Sequence, residues 1–194
     1  MKIYIHSTDT VWGVGASYLD EESILLIKNI KSNNLKKPMS LLCDNLNQLE
    51  SLINIPKNKE AILSLYSHAV TILFPLKWCR KKMPSYIIGN SKYVGIRIIK
   101  FLDVLKTKTS DLIITTTSLN LQNEPPITEL NEAVRFNQKY FENTAEMLNL
   151  GVQASSQPST IIQIEDSFNI KIIREGVALD EIKAKLKLFS TNIL

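Results

Sequence analysis

The fold is decided by residues 7–15 and 115–120, which read STDTVWGVG and TTTSLN. Each is a group of small hydroxyl residues at the end of an apolar segment, Ile3–Ile5 in the first case and Leu112–Ile114 in the second. Hydroxyls and free backbone N–H groups at strand ends are where open α/β sheets commonly bind ligands. The two segments therefore predict one cleft that holds a polar, phosphorylated ligand from two sides.

Strand-like and helix-like segments alternate along the rest of the chain. Apolar and β-branched runs predict strands, and apolar residues at helical spacing behind a capping residue such as Asp20 predict helices. The predicted strands are Ile3–Ile5, Met39–Cys43, Val70–Phe74, Val94–Ile99, Leu112–Thr116, Thr160–Ile164 and Ile170–Ile173. The predicted helices are Asp20–Ile30, Pro56–His68, Thr128–Phe136 (capped by Thr128) and Asp180–Leu188.

This alternation indicates an α/β (α+β) fold. We expect a single domain over 1–194, with a short N-terminus and a twisted, mixed sheet, because its last two strands form an antiparallel hairpin. The irregular, basic stretch Trp78–Lys92 is interpreted as a mobile surface loop.

The composition is that of an ordinary globular protein. The chain has 194 residues, of which 44% are hydrophobic and 22% charged, and no apolar run approaches the roughly 20 residues of a membrane helix. The net charge of +4 suits a protein that handles anions and leaves contact with RNA open. The lack of such an apolar run predicts no membrane partner. Cys43 and Cys79 form no metal or disulfide motif, which predicts reduced thiols in a cytoplasmic protein.

Taken singly, the motifs leave the function open. Gly13-Val14-Gly15 lacks the third glycine of a dinucleotide fingerprint, and a turn from strand to helix explains it equally well. Lys31, Lys36 and Lys37 are candidates for phosphate binding, but lysines near a helix C-terminus are also commonly solvated.

Two further motifs carry the same ambiguity. Ser118 and Asn120 are alternate residues of an extended segment, so they either face one ligand or cap a turn. Arg97 lies in an apolar run and requires an anionic partner, supplied by the protein or by a ligand. Arg174, at the end of a predicted strand, poses the same question.

Taken together and in order, these segments match the motifs of a known family. Its pattern D-T-V-Y-G-L-G corresponds to residues 9–15, K-x-R and P-L-S to 31–33 and 38–40, G-V-R-I-P to 95–99, T-S-A-N-x-S-G to 117–123, and P-S-T-V-V-D with R-x-G to 158–163 and 174–176. The chain thus resembles the YrdC-like threonylcarbamoyl-adenylate synthases over nearly its whole length. The resemblance implies a YrdC-like fold with a concave basic cleft. The chain departs from the pattern at Trp12, Asn33, Ile99 and Gln163, and Asn33 removes a cation that the family uses at its nucleotide site.

The resemblance implies a nucleotidyltransferase. L-threonine and bicarbonate or CO2 form a carbamate, which attacks the α-phosphorus of ATP to give threonylcarbamoyl-AMP and pyrophosphate. It also implies Mg2+ carried by the ATP phosphates, with no metal-ligating protein residue. A downstream tRNA threonylcarbamoyl transferase completes the N6-threonylcarbamoyladenosine modification of tRNA, and direct contact with tRNA is a further expectation.

The same resemblance suggests which residues bind the nucleotide. Lys31 is the expected catalytic residue and contacts the ATP phosphates. Ser118 and Asn120 orient those phosphates, and Ser159 and Arg174 hold the nucleotide from the opposite wall.

The remaining assignments concern threonine and the missing charge. Thr10, Ser40 and Arg97 are expected to bind threonine, with the planar guanidinium of Arg97 on its carboxylate. Lys36 or Lys37 is expected to replace the charge absent at position 33.

Other functions stay open from the sequence. One is a diverged nucleotide- or RNA-binding paralogue without synthase activity, and another is a nucleic-acid-binding module, for which Trp78–Lys82 is the one tract that interleaves aromatic and basic residues. A third is the carbamoyl-phosphate chemistry of hydrogenase maturation proteins, although this chain has no zinc-finger cysteines.

Overall fold

The computed structural model describes residues 1–32, 34–101, 112–151, 155 and 157–191. In these ranges the strands are β1 (Ile3–His6), β2 (Gly13–Ala16), β3 (Ser40–Cys43), β4 (Val70–Pro75), β5 (Tyr93–Ile98), β6 (Ile114–Ser118), β7 (Glu146–Leu148), β8 (Thr160–Ile164) and β9 (Ile170–Arg174). The helices are α1 (Glu21–Ser32), α2 (Leu46–Leu52), α3 (Lys59–Ser64), α4 (Ser85–Ile88), α5 (Leu130–Phe141) and α6 (Leu179–Thr191).

The strands form one sheet in the order β7-β1-β2-β6-β3-β5-β4-β8-β9. The pairs β1–β7, β3–β5 and β4–β8 are parallel and the remaining pairs are antiparallel. The predicted mixed α/β fold is therefore confirmed, and so is the antiparallel hairpin formed by the last two strands. Among the described residues, no helix is long and apolar enough to cross a membrane.

The core lies between the sheet and the helices packed on it. Fully buried side chains come from neighbouring strands and from α1: Ile5, Leu41, Ile72, Ile96 and Ile162 on the sheet, and Ile24 and Ile27 on the helix. The first helix begins as predicted, because the Asp20 carboxylate accepts hydrogen bonds from both the backbone N–H and the hydroxyl of Ser23, at 3.0 and 2.7 Å.

The interpretation of Gly13-Val14-Gly15 as a turn between strand and helix is wrong. Residues 13–16 form β2, which pairs antiparallel with β1 on one side and with β6 on the other. A side chain at Gly15 would overlap the carbonyl oxygen of Thr115, so the glycine is needed for the close approach of β2 and β6.

The stretch Trp78–Lys92 is likewise not a mobile surface loop. Trp78, Met83 and Ile87 are buried, and α4 lies within the stretch. The Trp78 ring packs against Phe74 and Phe168, with ring centroids 6.4 and 5.1 Å apart. Trp78 is thus part of the core and is not available to stack on a nucleic-acid base.

Several element boundaries also differ from the prediction. The helix predicted at Pro56–His68 is the shorter α3, followed by a 3-10 turn at Leu65–Ser67. The helix α5 begins without a side-chain cap, because Thr128 lies before Glu129, which takes the capping position. The carbonyl of Thr128 instead accepts a hydrogen bond from the indole nitrogen of Trp12, at 3.2 Å. Helix α2 and strand β7 had no counterpart in the prediction.

Candidate active site

A cleft of about 300 Å³ opens over the central strands and brings the two hydroxyl segments together. Antiparallel pairing of Gly13 with Ser118 places the loop between β1 and β2 beside the end of β6. Most of the predicted site residues line this cleft, namely Thr10, Lys37, Ser40, Arg97, Ser118, Ser159 and Arg174. Lys31, Asn120 and Lys36 are not among its lining residues, although Lys31 and Asn120 contact Ser118.

The loop between β1 and β2 is held by the hydroxyl of Thr8. That hydroxyl accepts hydrogen bonds from the backbone N–H groups of Thr10 and Val11, both at 3.1 Å, and donates one to the carbonyl of Val11 at 2.6 Å. This internal bonding is an ST-turn. It fixes the position of the buried Thr10 hydroxyl, which lies 2.8 Å from that of Thr8.

Arg97 lies on β5 and is buried at the wall of the cleft. One terminal nitrogen donates to the Thr10 hydroxyl at 2.9 Å, and the other forms an ion pair with Asp9. Burial lowers the pKa of Arg97, and the Asp9 carboxylate opposes this shift. The anion that the sequence required for Arg97 is thus Asp9, a residue that sequence reasoning did not assign to the site.

Lys31, Ser118 and Asn120 form one hydrogen-bonded unit. The Lys31 amine donates to the carbonyl of Ser118, to the carbonyl of Asn120 at 2.6 Å and to its Oδ1 at 3.3 Å. The Ser118 hydroxyl donates to the same Oδ1 at 2.6 Å. Burial, together with the charge of Lys37, lowers the pKa of Lys31 to about 8. The Asn120 amide nitrogen donates to the carbonyls of Leu121 and Glu124, at 2.9 and 2.7 Å, so Asn120 holds the turn after β6, as the second of the two alternatives from the sequence has it.

The opposite wall is formed by Ser159 and Arg174. Arg174 donates from Nε and Nη2 to the carbonyl of Ser159, at 3.1 and 2.8 Å, and from Nη2 to its hydroxyl at 3.2 Å. The Ser159 hydroxyl lies 2.9 Å from that of Thr71, another lining residue that the sequence analysis did not identify. Burial, followed by the charge of Arg97, lowers the pKa of Arg174.

The start of β3 places Ser40 beside the adjacent strand β5. A side chain at Gly95 would lie 2.6 Å from the Ser40 hydroxyl, so the glycine leaves the hydroxyl room in the cleft. Of the two candidate substitute lysines, Lys37 lines the cleft, whereas Lys36 is exposed and is not among the lining residues. Asn33 lies outside the described residues.

His6 is fully buried beside the cleft, with Nε2 3.1 Å from the hydroxyl of Thr116. Burial, followed by the charge of Arg97, lowers the pKa of His6 to about 4, so the imidazole is neutral at physiological pH. His6 therefore acts as a hydrogen-bonding partner of Thr116, itself a lining residue, and adds no charge to the cleft.

Comparison with known proteins identifies the family. The Sua5/YciO/YrdC family model, described as Telomere recombination, matches residues 2–176. The chain belongs to this family. It is 30% identical over 177 residues to a protein of Methanocaldococcus jannaschii named "Putative threonylcarbamoyl-AMP synthase", covering 91% of this chain and 80% of that relative. It is 26% identical over 168 residues to the threonylcarbamoyl-AMP synthase of Pseudoalteromonas atlantica, covering 82% and 84%.

Solved structures share the Sua5/YciO/YrdC fold. P. abyssi Sua5 complexed with L-threonine matches with a TM-score of 0.75 at 23% identity, covering 95% of this chain and 53% of that one. YciO of E. coli matches with a TM-score of 0.67 at 17% identity, covering 91% and 84%. The present chain thus spans little more than half of the Sua5 chain, and at these identities the likeness shows the fold.

Proposed function

We propose that this chain is a threonylcarbamoyl-AMP synthase, which forms threonylcarbamoyl-AMP and pyrophosphate from L-threonine, bicarbonate or CO2, and ATP. The observation that carries the proposal is the convergence of hydroxyls with Lys37, Arg97 and Arg174 in one cleft. This arrangement occurs in a chain whose curated relatives are named threonylcarbamoyl-AMP synthases.

The reaction suits a site built from cations and hydroxyls. The free amine of threonine forms a carbamate, either with CO2 and loss of a proton or with bicarbonate and loss of water. One oxygen of the carbamate then bonds to the α-phosphorus of ATP, and the bond from that phosphorus to the pyrophosphate oxygen breaks. Because the nucleophile is already an anion, the protein has to align two anions and reduce their repulsion, and no strong base is required.

Threonine is proposed to bind beside Arg97. Each terminal nitrogen of the guanidinium carries two N–H groups, so one on each remains after Asp9 and Thr10 are bound. These N–H groups suit the two oxygens of an amino-acid carboxylate. Thr10 and Ser40 add hydroxyls on the same part of the wall.

The nucleotide phosphates are proposed to bind between the two other groups of the site. Lys31 contacts the α-phosphate with the help of Ser118 and Asn120, while Ser159 and Arg174 hold the nucleotide from the opposite wall. Lys37 is the better-placed substitute for the charge missing at position 33, because it lines the cleft and Lys36 does not.

Magnesium is proposed to enter as a complex with ATP. Within the described residues, no group of three or more His, Cys, Asp or Glu side chains is placed to hold a metal ion. The polar side chains that line the cleft carry hydroxyls and positive charges. Such a site suits a magnesium ion that takes its ligands from phosphate oxygens and water rather than from the protein. When bound, Mg2+ would offset charge on the departing pyrophosphate.

The product is an activated acyl group, so we propose a downstream tRNA threonylcarbamoyl transferase as its consumer. We expect both enzymes to work in the cytoplasm, where tRNA, ATP and threonine are present together. Contact of this chain with tRNA itself is an expectation that Trp78 does not support, because the ring is buried.

Pyrophosphate release by the purified protein tests the function. Release from MgATP should require both L-threonine and bicarbonate, and chromatography should detect threonylcarbamoyl-AMP. The variant Lys31→Met should lower the rate on the order of 100-fold or more, because a cation at the reacting phosphate is removed. The exposed Lys57→Met is the matched control and should retain the wild-type rate. Release that needs neither co-substrate would contradict the proposal.

One observation favours a second candidate, a nucleotide-binding paralogue without synthase activity. The family arginine is replaced by Asn33. ATP binding that depends on Lys31, without formation of threonylcarbamoyl-AMP, would support this candidate. Activity gained by Asn33→Arg would then identify the missing charge as its cause.

A further inference from the structure

Thr71 lies on β4, between the two groups of residues proposed to bind the two substrates. The antiparallel pairing of β4 with β5 sets Thr71 beside Arg97. On its other side Thr71 pairs with Ile161 of β8, which pairs with Arg174 of β9. All four residues line the cleft. Thr71 therefore separates the residue proposed to bind the threonine carboxylate from a residue proposed to hold the nucleotide.

The hydroxyl of Thr71 belongs to a pair that has an O–H proton to spare. It lies 2.9 Å from the hydroxyl of Ser159, which accepts a hydrogen bond from Nη2 of Arg174 at 3.2 Å. A hydroxyl carries one proton and can accept twice. The bond between the two hydroxyls uses one of their two protons, whichever hydroxyl donates it. The second proton has no acceptor among the described residues and is available to a ligand.

Arg174 favours Thr71 as the hydroxyl with the spare proton. Hydrogen bonds that run in one direction polarise one another, so the favoured chain runs from Arg174 to Ser159 and from Ser159 to Thr71. Thr71 is 5% exposed, and a buried O–H group without an acceptor costs free energy. A ligand oxygen beside Thr71 removes this cost.

The chemistry of the cleft indicates what kind of oxygen this is. The residues that line it in the described part of the chain include Lys37, Arg97 and Arg174 but no carboxylate, which favours an anionic acceptor. In threonylcarbamoyl-AMP the carbamoyl group joins the threonine to the nucleotide, so its precursor, the carbamate, has to lie between the two substrates. Thr71 has the same intermediate position between Arg97 and Arg174.

We propose that Thr71 is a substrate-contacting residue, whose hydroxyl donates a hydrogen bond to the carbamate of N-carboxythreonine. A bond to one carbamate oxygen leaves the other free to attack the α-phosphorus. Thr71 thereby recognises the group that comes from bicarbonate or CO2, while Arg97 holds the threonine carboxylate. The identity of this ligand rests on the proposed function.

Calorimetry on the whole chain with a stable analogue tests the inference without requiring catalysis. The probe is 2-(1-hydroxyethyl)succinate, in which a CH2 group replaces the N–H of N-carboxythreonine and both carboxylates are kept. Thr71→Val keeps the shape of the side chain and removes the hydroxyl, so it should weaken binding of the probe on the order of tenfold. L-threonine has no carbamate, and its affinity should change by less than about threefold.

Two further variants separate the hydroxyl from the rest of the side chain. Thr71→Ser keeps the hydroxyl and should retain most of the affinity for the probe. Thr144→Val removes a hydroxyl from an exposed residue that is not among the lining residues, and it should retain all of it. In steady-state pyrophosphate release, Thr71→Val should raise KM for bicarbonate on the order of tenfold and KM for ATP by less than about threefold.

Unchanged binding of the probe by a folded Thr71→Val protein would overturn the inference and leave Thr71 as a support of Ser159. Equal loss of affinity for the probe and for L-threonine would overturn it too. If Thr71→Val does not fold, the methyl signal of Thr71 in the wild-type NMR spectrum decides: a larger shift with the probe than with L-threonine supports the inference, and equal or absent shifts contradict it. A protein that binds the probe through Thr71 but makes no threonylcarbamoyl-AMP would refute the proposed function alone.

Discussion

Asp9 and Arg97 form an ion pair at the wall of the cleft, although 88 positions separate them in the sequence. The pair is asymmetric, because the Arg97 side chain is 9% exposed and that of Asp9 is 45% exposed. The buried cation is therefore held in one orientation by a carboxylate that remains in contact with solvent. A ligand carboxylate that approaches Arg97 has to share the guanidinium with Asp9.

Replacing Arg97 by lysine should impair the use of threonine. Lysine keeps the charge but loses the planar fork that bonds Asp9 and Thr10 at the same time. We expect KM for threonine to rise on the order of tenfold, while KM for ATP changes by less than about threefold. Steady-state pyrophosphate release with each substrate varied in turn measures both constants.

The exposed Arg135→Lys is the control for this prediction. It makes the same chemical change away from the cleft and should leave both constants at their wild-type values. A rise in KM for ATP alone in Arg97→Lys would move Arg97 from the threonine site to the nucleotide site.

Affinity for ATP should fall above pH 8. The pKa of Lys31 is lowered to about 8, from 10.5. Below pH 8 the amine is already protonated, so phosphate binds without proton uptake. Above pH 8 the free protein has to take up a proton to bind phosphate, and the affinity should fall by up to about tenfold per pH unit.

Calorimetry at pH 7, 8 and 9, in buffers with different ionisation enthalpies, measures this proton uptake directly. The matched variant is Lys31→Arg, whose guanidinium stays charged over the whole range and should show no break near pH 8. An identical pH dependence in the variant would exclude Lys31 as the titrating group.

The parts of the fold that follow from local sequence were predictable. Asp20 with Ser23 defines the start of α1, and the β-branched runs on either side of residues 165–169 define the final hairpin. The strand Gly13–Ala16 was not predictable in this way, since two glycines oppose a strand on propensity alone. Its reason lies in the neighbouring strand, where Thr115 leaves no space for a side chain at Gly15.

The candidate site likewise has features that follow from local sequence and others that depend on tertiary contacts. The sequence established that Arg97 needs an anion, but the choice of Asp9 depends on how β5 and the loop after β1 meet in three dimensions.

His6 should make the protein sensitive to acid. Its pKa is about 4 in the folded state and 6.5 in the unfolded chain. Between these values the unfolded chain binds a proton that the folded protein does not, so the free energy of unfolding falls as the pH is lowered from 6.5 to 4. The full effect of such a shift is ~3 kcal/mol.

Urea unfolding at pH 4.5 and pH 7 measures this loss. His6→Gln removes the titrating group and keeps a polar side chain near Thr116, so the difference between the two pH values should shrink by ~2 kcal/mol. His68→Gln is the matched control, because it makes the same change at a half-buried position whereas His6 is fully buried, and it should reduce the difference less than His6→Gln does. Equal pH dependence in wild type and His6→Gln would show that other groups cause the acid sensitivity.

Gly15→Ala should destabilise the fold more than the addition of a single methyl group usually does. The added methyl group would overlap the carbonyl oxygen of Thr115, a backbone atom that cannot rotate away as a side chain could. Relief requires β2 and β6 to separate, at a cost of ~3 kcal/mol in the free energy of unfolding, measured in urea. Gly151→Asn is the control, because no atom of the described residues lies within 4 Å of a Cβ at Gly151 and asparagine tolerates its φ of +66°. Since this movement would also displace Ser118 from Thr10 across the cleft, Gly15→Ala should lose synthase activity even under conditions in which it is fully folded.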